Sequence, residues 1–165
     1  MTITLRNYQQ ECLDAIKRLA NQGTRRQLIS IGTGGGKTVV FASLIRELCK
    51  YKRIIVVAHT HELLYQAKDK LLMLAPDVNV GLVDGSHKEF SAQVVIVSVQ
   101  SACIEKNLKK LKEQNFELFI YDECHHSGTD TARKLINELG FGKGTKKLLC
   151  GFTATGWRED GKGYK

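Results

Sequence analysis

The chain has 165 residues, 42% of them hydrophobic, which is enough for one domain with a buried core and leaves little room for a second. Its 25 Lys and Arg against 17 Asp and Glu give a net charge of +8, a balance that favours a polyanionic partner such as nucleic acid. The apolar runs have the length of strands, the first residues lack a charged-then-apolar leader, and the five scattered cysteines contain no CxxC pair. We therefore expect a cytoplasmic protein without a membrane span or a disulfide framework.

The order of predicted elements favours an α/β fold. Apolar residues recur at helical spacing between Tyr8 and Leu19, which predicts an opening helix that the turn around Gly23 ends. Apolar runs then alternate with helical patterns, as in a parallel β-sheet flanked by helices on both faces. The predicted strands are residues 28–31, 54–58, 94–97, 118–121 and 148–152, and the helical patterns lie at 63–74, 104–111 and 132–139. Residues 78–83 follow a turn at Pro76 and are left as a short stretch without an assigned strand.

A glycine-rich run between the first predicted strand and the next helix is typical of a phosphate-binding loop. It consists of Gly32, Thr33, Gly34, Gly35, Gly36, Lys37 and Thr38. Glycines let main-chain N–H groups approach a triphosphate without obstruction by side chains. Lys37 would neutralise the β- and γ-phosphates, and the Thr38 hydroxyl would bind Mg²⁺. Ile31 stands where the strict GxxxxGK[ST] pattern has a small residue, a departure that leaves the chemistry unaffected.

Two acidic residues follow the apolar run at 118–121, in the sequence DECHH at 122–126. Ligands of open α/β sheets bind at the carboxyl ends of the strands, which is where Asp122 and Glu123 are predicted to lie. Asp122 would hold Mg²⁺, usually through water, and Glu123 would orient and activate the water that attacks the γ-phosphate. The sequence therefore predicts ATP and Mg²⁺ as cofactors, with Lys37, Asp122 and Glu123 as catalytic residues.

Taken in this order, the motifs resemble the first RecA-like domain of superfamily 2 helicases, in the DECH-type group of RadD-like, XPB-like and restriction-enzyme motors. The resemblance extends over nearly all 165 residues. It implies a RecA-like P-loop NTPase fold in which residues 1–165 form the ATP-binding domain. It also implies a partner in cis, a second RecA-like domain that supplies arginines to the γ-phosphate. That domain is absent from this sequence. Because an arginine finger is worth roughly 10³ to 10⁵ in rate, we expect slow hydrolysis by this domain alone.

The resemblance also assigns residues outside the phosphate loop. LRNYQQ at 5–10 is similar to an adenine-reading element, which implies that Gln9, with Arg6, selects ATP; Asn7 replaces the usual proline. GFTATGWRED at 151–160 is similar to motif III, which implies that Thr153 and Thr155 sense the nucleotide; here Gly156 replaces a proline. In this interpretation His125 couples the nucleotide site to its surroundings.

Two further motifs resemble nucleic-acid-binding elements of the family. VAHTHELLYQA at 57–67 is similar to motif Ia and implies that His59 and Thr60 contact the nucleic-acid backbone. VSVQSA at 97–102 implies contacts from Ser98, Gln100 and Ser101. The partner implied is nucleic acid, DNA rather than RNA, bound by a helicase or translocase.

Other interpretations are open at this point. A non-catalytic nucleic-acid-binding module with a vestigial nucleotide site would have the same sequence features. A small-molecule kinase would share Lys37 but leaves DECH and TAT unexplained, and a GTPase is disfavoured because the chain contains no NKxD motif. Structural zinc at Cys124, His125 and His126 is disfavoured, because three consecutive residues cannot all turn toward one tetrahedral ion. Lysines 106, 109, 110 and 112 fit a solvated helix face better than a phosphate-binding face.

Overall fold

The computed structural model describes residues 5–30, 37–50, 52–58, 61–122, 130–142 and 147–153. Helices and strands alternate over most of these ranges. In chain order they are α1 (Asn7–Asn21), β1 (Arg26–Ser30), α2 (Lys37–Leu48), β2 (Ile54–Ala58), α3 (His61–Leu74), β3 (Val80–Val83), β4 (Val94–Ser98), the single turn α4 (Val99–Ala102), α5 (Glu105–Glu113), β5 (Leu118–Asp122), α6 (Asp130–Glu138) and β6 (Leu148–Thr153). None of the helices in the described ranges is long and apolar enough to cross a bilayer.

The strands form one sheet in the order β1-β6-β5-β2-β4-β3, and every described pairing is parallel. Parallel neighbours cannot be joined by hairpins, so helices cross from one strand to the next over the faces of the sheet. Every residue of β2, β4 and β5 is buried, as expected for central strands covered on both sides. The predicted α/β parallel architecture is confirmed.

The two faces of the sheet carry separate hydrophobic cores. Alternate residues of a strand point to opposite faces, so Ile54 and Val56 pack on one side while Ile55 and Val57 pack on the other. The first core includes residues of α1, α2 and α3, and the second includes residues of α4, α5 and α6. The prediction of helices on both faces is therefore correct.

Two details of the sequence interpretation are wrong. The stretch left without a strand contains β3, an edge strand of four residues that pairs with β4. The apolar pattern that would predict β3 is weak because Gly81 interrupts it. Glycine is required at this position, since a Cβ there would lie 2.6 Å from the main-chain O of Glu89. Ile104, predicted to lie on the buried helical face with Leu108, instead precedes α5 as its N-cap and is 55% exposed.

Gly23 ends α1 as predicted, and the geometry shows why. Its φ of +96° is left-handed, and the N–H groups of Gly23 and Thr24 donate to the carbonyls of Ala20 and Leu19 at 3.1 and 2.9 Å. These two bonds satisfy carbonyls that the last helical turn leaves open.

We expect Gly23→Ala to lower the free energy of unfolding by about 1–2 kcal/mol, because L-residues are strained in the left-handed region. The space around Gly23 is open, so steric contact contributes nothing to this loss. Gly85→Ala is the matched control, since the space there is open too and φ is not left-handed. Urea unfolding followed by circular dichroism compares the two variants; equal effects would contradict the backbone explanation.

Candidate active site

Because all six strands run in the same direction, their carboxyl ends form one edge of the sheet. The register aligns Ser30 of β1 with Thr153 of β6, and Ala58 of β2 with both Asp122 of β5 and Ser98 of β4. The strands that precede the predicted nucleotide motifs, β1, β6 and β5, are therefore neighbours. Those that precede the predicted nucleic-acid motifs, β2 and β4, lie beside them. We name these two parts of the edge, after the motifs predicted there, the nucleotide half and the nucleic-acid half.

A cavity of about 370 Å³ lies in contact with the nucleotide half of the edge. Thr38, in the first turn of α2, and Asp122, the last residue of β5, both line it. These two residues, distant in sequence, are the pair that the sequence predicts to bind Mg²⁺. Sheet topology and the start of α2 bring them to one space.

The residues at this cavity fit a magnesium ion. A threonine hydroxyl and a carboxylate are hard oxygen donors of the kind that Mg²⁺ prefers, and the ion keeps several waters that need room beside the protein. Asp122 is only 5% exposed, and the strand residues that precede it are buried, so its position is fixed by the sheet. Thr38 is half-buried at the start of a helix whose next residues, 40–45, are buried between neighbouring elements.

One wall of the cavity comes from α3, which the sequence did not predict as part of the nucleotide site. The contributing residues are Leu63, Gln66, Ala67, Asp69, Lys70 and Met73. Lys70 adds a cation to the lining of the cavity, and Asp69 adds a second carboxylate. The sequence signal for this wall is weak, because polar residues on one side of an amphipathic helix usually face solvent.

Gln9 and Arg6 lie at the start of α1. Gln9 is 5% exposed, and its side-chain Oε1 accepts a hydrogen bond from the main-chain N–H of Arg6 at 2.9 Å, which holds the amide in one orientation. Neither residue is among the described residues that line the cavity with Thr38 and Asp122. Their part in adenine recognition stays a prediction.

Several predicted site residues lie outside the described residues: Gly32, Thr33, Gly34, Gly35, Gly36, His59, Thr60, Glu123, His125 and Thr155. The main chain of Lys37 begins α2 and that of Thr153 ends β6. Both lie at the nucleotide half of the edge. The side chains of these two are likewise outside the description.

The three predicted nucleic-acid residues after β4 have different surroundings. Ser98 is 2% exposed, and its Oγ accepts a hydrogen bond from the N–H of Ser101 at 3.2 Å, which caps α4. Gln100 is exposed and Ser101 is half-buried. Gln100 is therefore the member of the group whose side chain is most open to a bound strand.

The lysines of α5 are all exposed, and two of them contact other parts of the chain. Lys112 forms an ion pair with Glu138 at 3.0 Å, and Lys110 lies over the ring of Phe90. Side chains engaged in this way suit the solvated face that the sequence favoured. Within the described ranges no three His, Cys, Asp or Glu residues are close enough to hold a metal, and Cys12, Cys49, Cys103 and Cys150 are free thiols.

A second buried carboxylate lies at this edge, and the sequence interpretation missed it. Asp84 directly follows β3 and is 1% exposed. Its Oδ2 accepts a hydrogen bond from the Tyr65 hydroxyl at 2.6 Å, and its Oδ1 accepts from the main-chain N–H groups of Ser86 and His87, each at 2.7 Å. The Nδ1 of His87 lies 3.0 Å from Oδ1. The sequence could have indicated Asp84, because this aspartate directly follows an apolar stretch, as Asp122 does. The Asp-Gly dipeptide is also typical of an ordinary turn, however, so the pattern was not specific.

Burial raises the pKa of Asp84, but the hydrogen bonds from Tyr65, Ser86 and His87 outweigh it and hold that pKa well below its usual range. The same contact raises the pKa of the Tyr65 hydroxyl, because ionisation there would remove the donor and place two negative charges together. Asp84 is therefore a carboxylate whose charge is stabilised by the fold.

This lowered pKa predicts an acid-dependent stability. A group whose pKa falls on folding stabilises the folded state above its unfolded pKa, about 3.9 for aspartate, and loses that contribution as pH falls toward the folded value. We expect Asp84→Asn to cost roughly 1–3 kcal/mol near pH 7, and the difference from the unaltered chain to shrink as pH falls below about 5.

Urea unfolding between pH 3 and 7 measures this difference. The titratable neighbours facing the carboxylate are Tyr65 from α3 and His87 from the turn, and the Lys88 ammonium donates to the main-chain O of Asp84 at 2.9 Å. Repeating the series in a His87→Gln background removes the imidazole from both chains. A difference that stays constant across the range would contradict the assignment.

Comparison with solved structures shows the class of fold. The Sulfolobus solfataricus SWI2/SNF2 ATPase core in complex with dsDNA matches with a TM-score of 0.74 at 18% identity, covering 92% of this chain and 32% of that chain. With its parallel six-stranded sheet and helices on both faces, the chain is a RecA-like domain.

Sequence comparison gives the family. The protein of Saccharomyces cerevisiae named as ATP-dependent helicase IRC3 is 34% identical over 168 residues, covering 94% of this chain and 24% of that protein. The Schizosaccharomyces pombe protein named as mitochondrial ATP-dependent helicase irc3 is 32% identical over 167 residues, covering 98% and 27%. The family model described as type III restriction enzyme, res subunit, matches residues 2–158. The chain belongs to this family, whose members carry the N-terminal RecA-like domain of superfamily 2 helicases, and it spans about a quarter of the length of these curated relatives.

Proposed function

We propose that this chain is the ATP-binding motor domain of a nucleic-acid-dependent ATPase, a DNA helicase or translocase that uses Mg²⁺. The observation that carries the proposal is the shared cavity of Thr38 and Asp122. A phosphate-loop hydroxyl and a strand-end carboxylate at one space are what a metal–triphosphate complex requires. The relatives named as ATP-dependent helicases support the same reaction.

In this proposal each residue has a distinct role. Residues 32–36 cradle the phosphates with main-chain N–H groups, and Lys37 neutralises the β- and γ-phosphates. Thr38 and Asp122 hold the ion, which when bound offsets charge on the phosphates. Glu123 orients the attacking water and accepts its proton, while Gln9 and Arg6 read adenine. Thr153, Thr155 and His125 respond to the state of the nucleotide.

The nucleic-acid half of the edge would bind the sugar-phosphate backbone through His59, Thr60, Ser98, Gln100 and Ser101. The net charge of +8 supports a polyanionic partner. DNA is proposed over RNA on the resemblance to DECH-type motors. Because the relatives are about four times as long, a second RecA-like domain in cis is part of the proposal. A cytoplasmic location is proposed from the scattered cysteines, which contain no CxxC pair.

We expect Asp122→Asn to remove most of the contribution of Mg²⁺ to nucleotide binding. Affinity for a non-hydrolysable ATP analogue with Mg²⁺ should fall by roughly tenfold or more, about 1.4 kcal/mol. Affinity in EDTA should stay the same or rise, because a negative charge near the phosphates is lost. Isothermal titration with and without the ion measures both quantities.

Asp69→Asn is the matched control, since it removes the same charge from another residue that lines the cavity. It should leave the effect of Mg²⁺ within about twofold of the unaltered chain. A normal response to Mg²⁺ in Asp122→Asn would contradict the metal assignment. Equal losses in both variants would show that cavity charge, not ion binding, is responsible.

Binding and hydrolysis should separate in two further variants. Lys37→Ala should abolish nucleotide binding, because it removes the cation from the phosphate loop, whereas Glu123→Gln should keep binding and remove turnover. Titration with ATP and Mg²⁺ measures the first, and phosphate release under excess enzyme measures the second. Unchanged nucleotide affinity in Lys37→Ala would contradict the role of Lys37 in phosphate binding. Unchanged phosphate release in Glu123→Gln would contradict the role of Glu123 in activating water.

A further inference from the structure

Asp84 belongs to a continuous polar network at the nucleic-acid half of the sheet edge. It lies where β3 ends beside β4, with Val83 aligned to Val97. It is not among the described residues that line the cavity of Thr38 and Asp122, so the proposed ATP chemistry does not use it. A buried carboxylate is costly to maintain unless its partners are held in place, which makes the identity of those partners informative.

On one side the network reaches α3. The Tyr65 hydroxyl that donates to Asp84 is on the second turn of this helix. The helix begins at His61, directly after His59 and Thr60, which are predicted to contact the nucleic-acid backbone. Asp84 therefore restrains the helix that follows one predicted contact element.

On the other side the network reaches α4. Lys88, whose Nζ donates to the main-chain O of Asp84, lies 3.5 Å from Oδ1 of Asn107 on α5. Asn107 is buried, and its Nδ2 donates to the main-chain O of Ser101 at 2.9 Å. Ser101 is in α4, which carries the second predicted contact element.

The hydrogen bonds of this network thus connect the element after β2 with the element after β4. Phosphates repeat along a nucleic-acid strand at a fixed spacing, so two elements that contact successive phosphates must keep a fixed separation. Binding geometry of this kind depends on supporting residues that lock the contact groups in place.

We propose that Asp84 is a positioning residue for nucleic-acid binding: through Tyr65 on one side and the turn to Lys88 and Asn107 on the other, it sets the placement of α3 relative to α4. The inference rests on the proposed nucleic-acid function of this edge. It assigns Asp84 no contact with the nucleic acid itself.

Because Asp84 is negatively charged, the electrostatic effect and the positioning effect of its replacement change DNA affinity in opposite directions. Asp84→Asn removes a negative charge near a bound polyanion, so electrostatics alone would strengthen binding. Loss of a positioning residue should instead weaken it. We expect the affinity for a fluorescein-labelled DNA oligonucleotide to fall by roughly tenfold in Asp84→Asn. The slope of log affinity against log salt should stay unchanged, because no phosphate contact is removed directly.

Two further variants complete the experiment. Asp77→Asn removes the same charge from an exposed residue in the turn before β3, and we expect it to bind DNA at least as tightly as the unaltered chain. Tyr65→Phe removes only the hydroxyl donor, leaves the net charge unchanged, and should weaken DNA binding in the same direction as Asp84→Asn. It also keeps the proposal testable if Asp84→Asn does not fold. Affinity for the ATP analogue with Mg²⁺, measured on the same samples, should fall by much less than the affinity for DNA. Helix α3 supplies one wall of the cavity, but Thr38 and Asp122, the proposed ligands of the ion, belong to α2 and β5.

The possible outcomes distinguish a failure of the positioning role of Asp84 from a failure of the proposed nucleic-acid function. DNA binding by Asp84→Asn and Tyr65→Phe that matches the unaltered chain overturns the positioning role and leaves the proposed function intact. Equal loss of DNA and nucleotide affinity also overturns it, because that is the result of general destabilisation. Absence of DNA binding by the unaltered chain overturns the nucleic-acid proposal and this inference together.

Discussion

The site depends on one constraint: all strands of the sheet run in the same direction, so their carboxyl ends form one edge, while helices must cover both faces of the sheet. The central strands are buried throughout because helices cross over both sides. The polar residues of these strands are therefore found largely at the strand ends, where the chain leaves the hydrophobic core. Asp122 and Ser98 are the last residues of β5 and β4 for this reason. The chemistry of the domain is thus concentrated where the hydrophobic pattern stops.

Two aspartates at this edge show how surroundings decide the use of a carboxylate. Both follow apolar strands and both are almost completely buried. Asp84 is surrounded by donors from α3 and from its own turn, so its charge is satisfied within the protein. Asp122 instead lines a cavity that Thr38 also lines, so a ligand in that cavity would lie next to the carboxylate. Burial alone therefore does not distinguish the two carboxylates; the cavity beside Asp122 does.

The sequence predicted the sheet, the two layers of helices and the end of α1, because each depends on a local pattern of apolar residues or on a glycine that ends a helix. It also placed Thr38 and Asp122 together, since a phosphate loop and an acidic strand end have recognisable motifs, and both line one cavity; their binding of Mg²⁺ stays a prediction. It did not predict β3, because this strand contains Gly81, a residue required by the close approach of Glu89 and not by strand propensity. Nor did it predict Asp84 or the α3 wall of the cavity, since their roles depend on contacts between elements that no local spacing encodes.

Helix α3 connects the two halves of the edge. Gln66 lines the cavity of Thr38 and Asp122, and its neighbour Tyr65 donates a hydrogen bond to Asp84 on the other side. Successive residues of an α-helix are about 100° apart around the axis, so one rigid element can face both environments at once. Because the helix is held together by its own hydrogen bonds, a displacement at the cavity wall would be carried along the element rather than absorbed locally. Under the proposed function, this one helix would therefore be enough to link the nucleotide site physically to the nucleic-acid site.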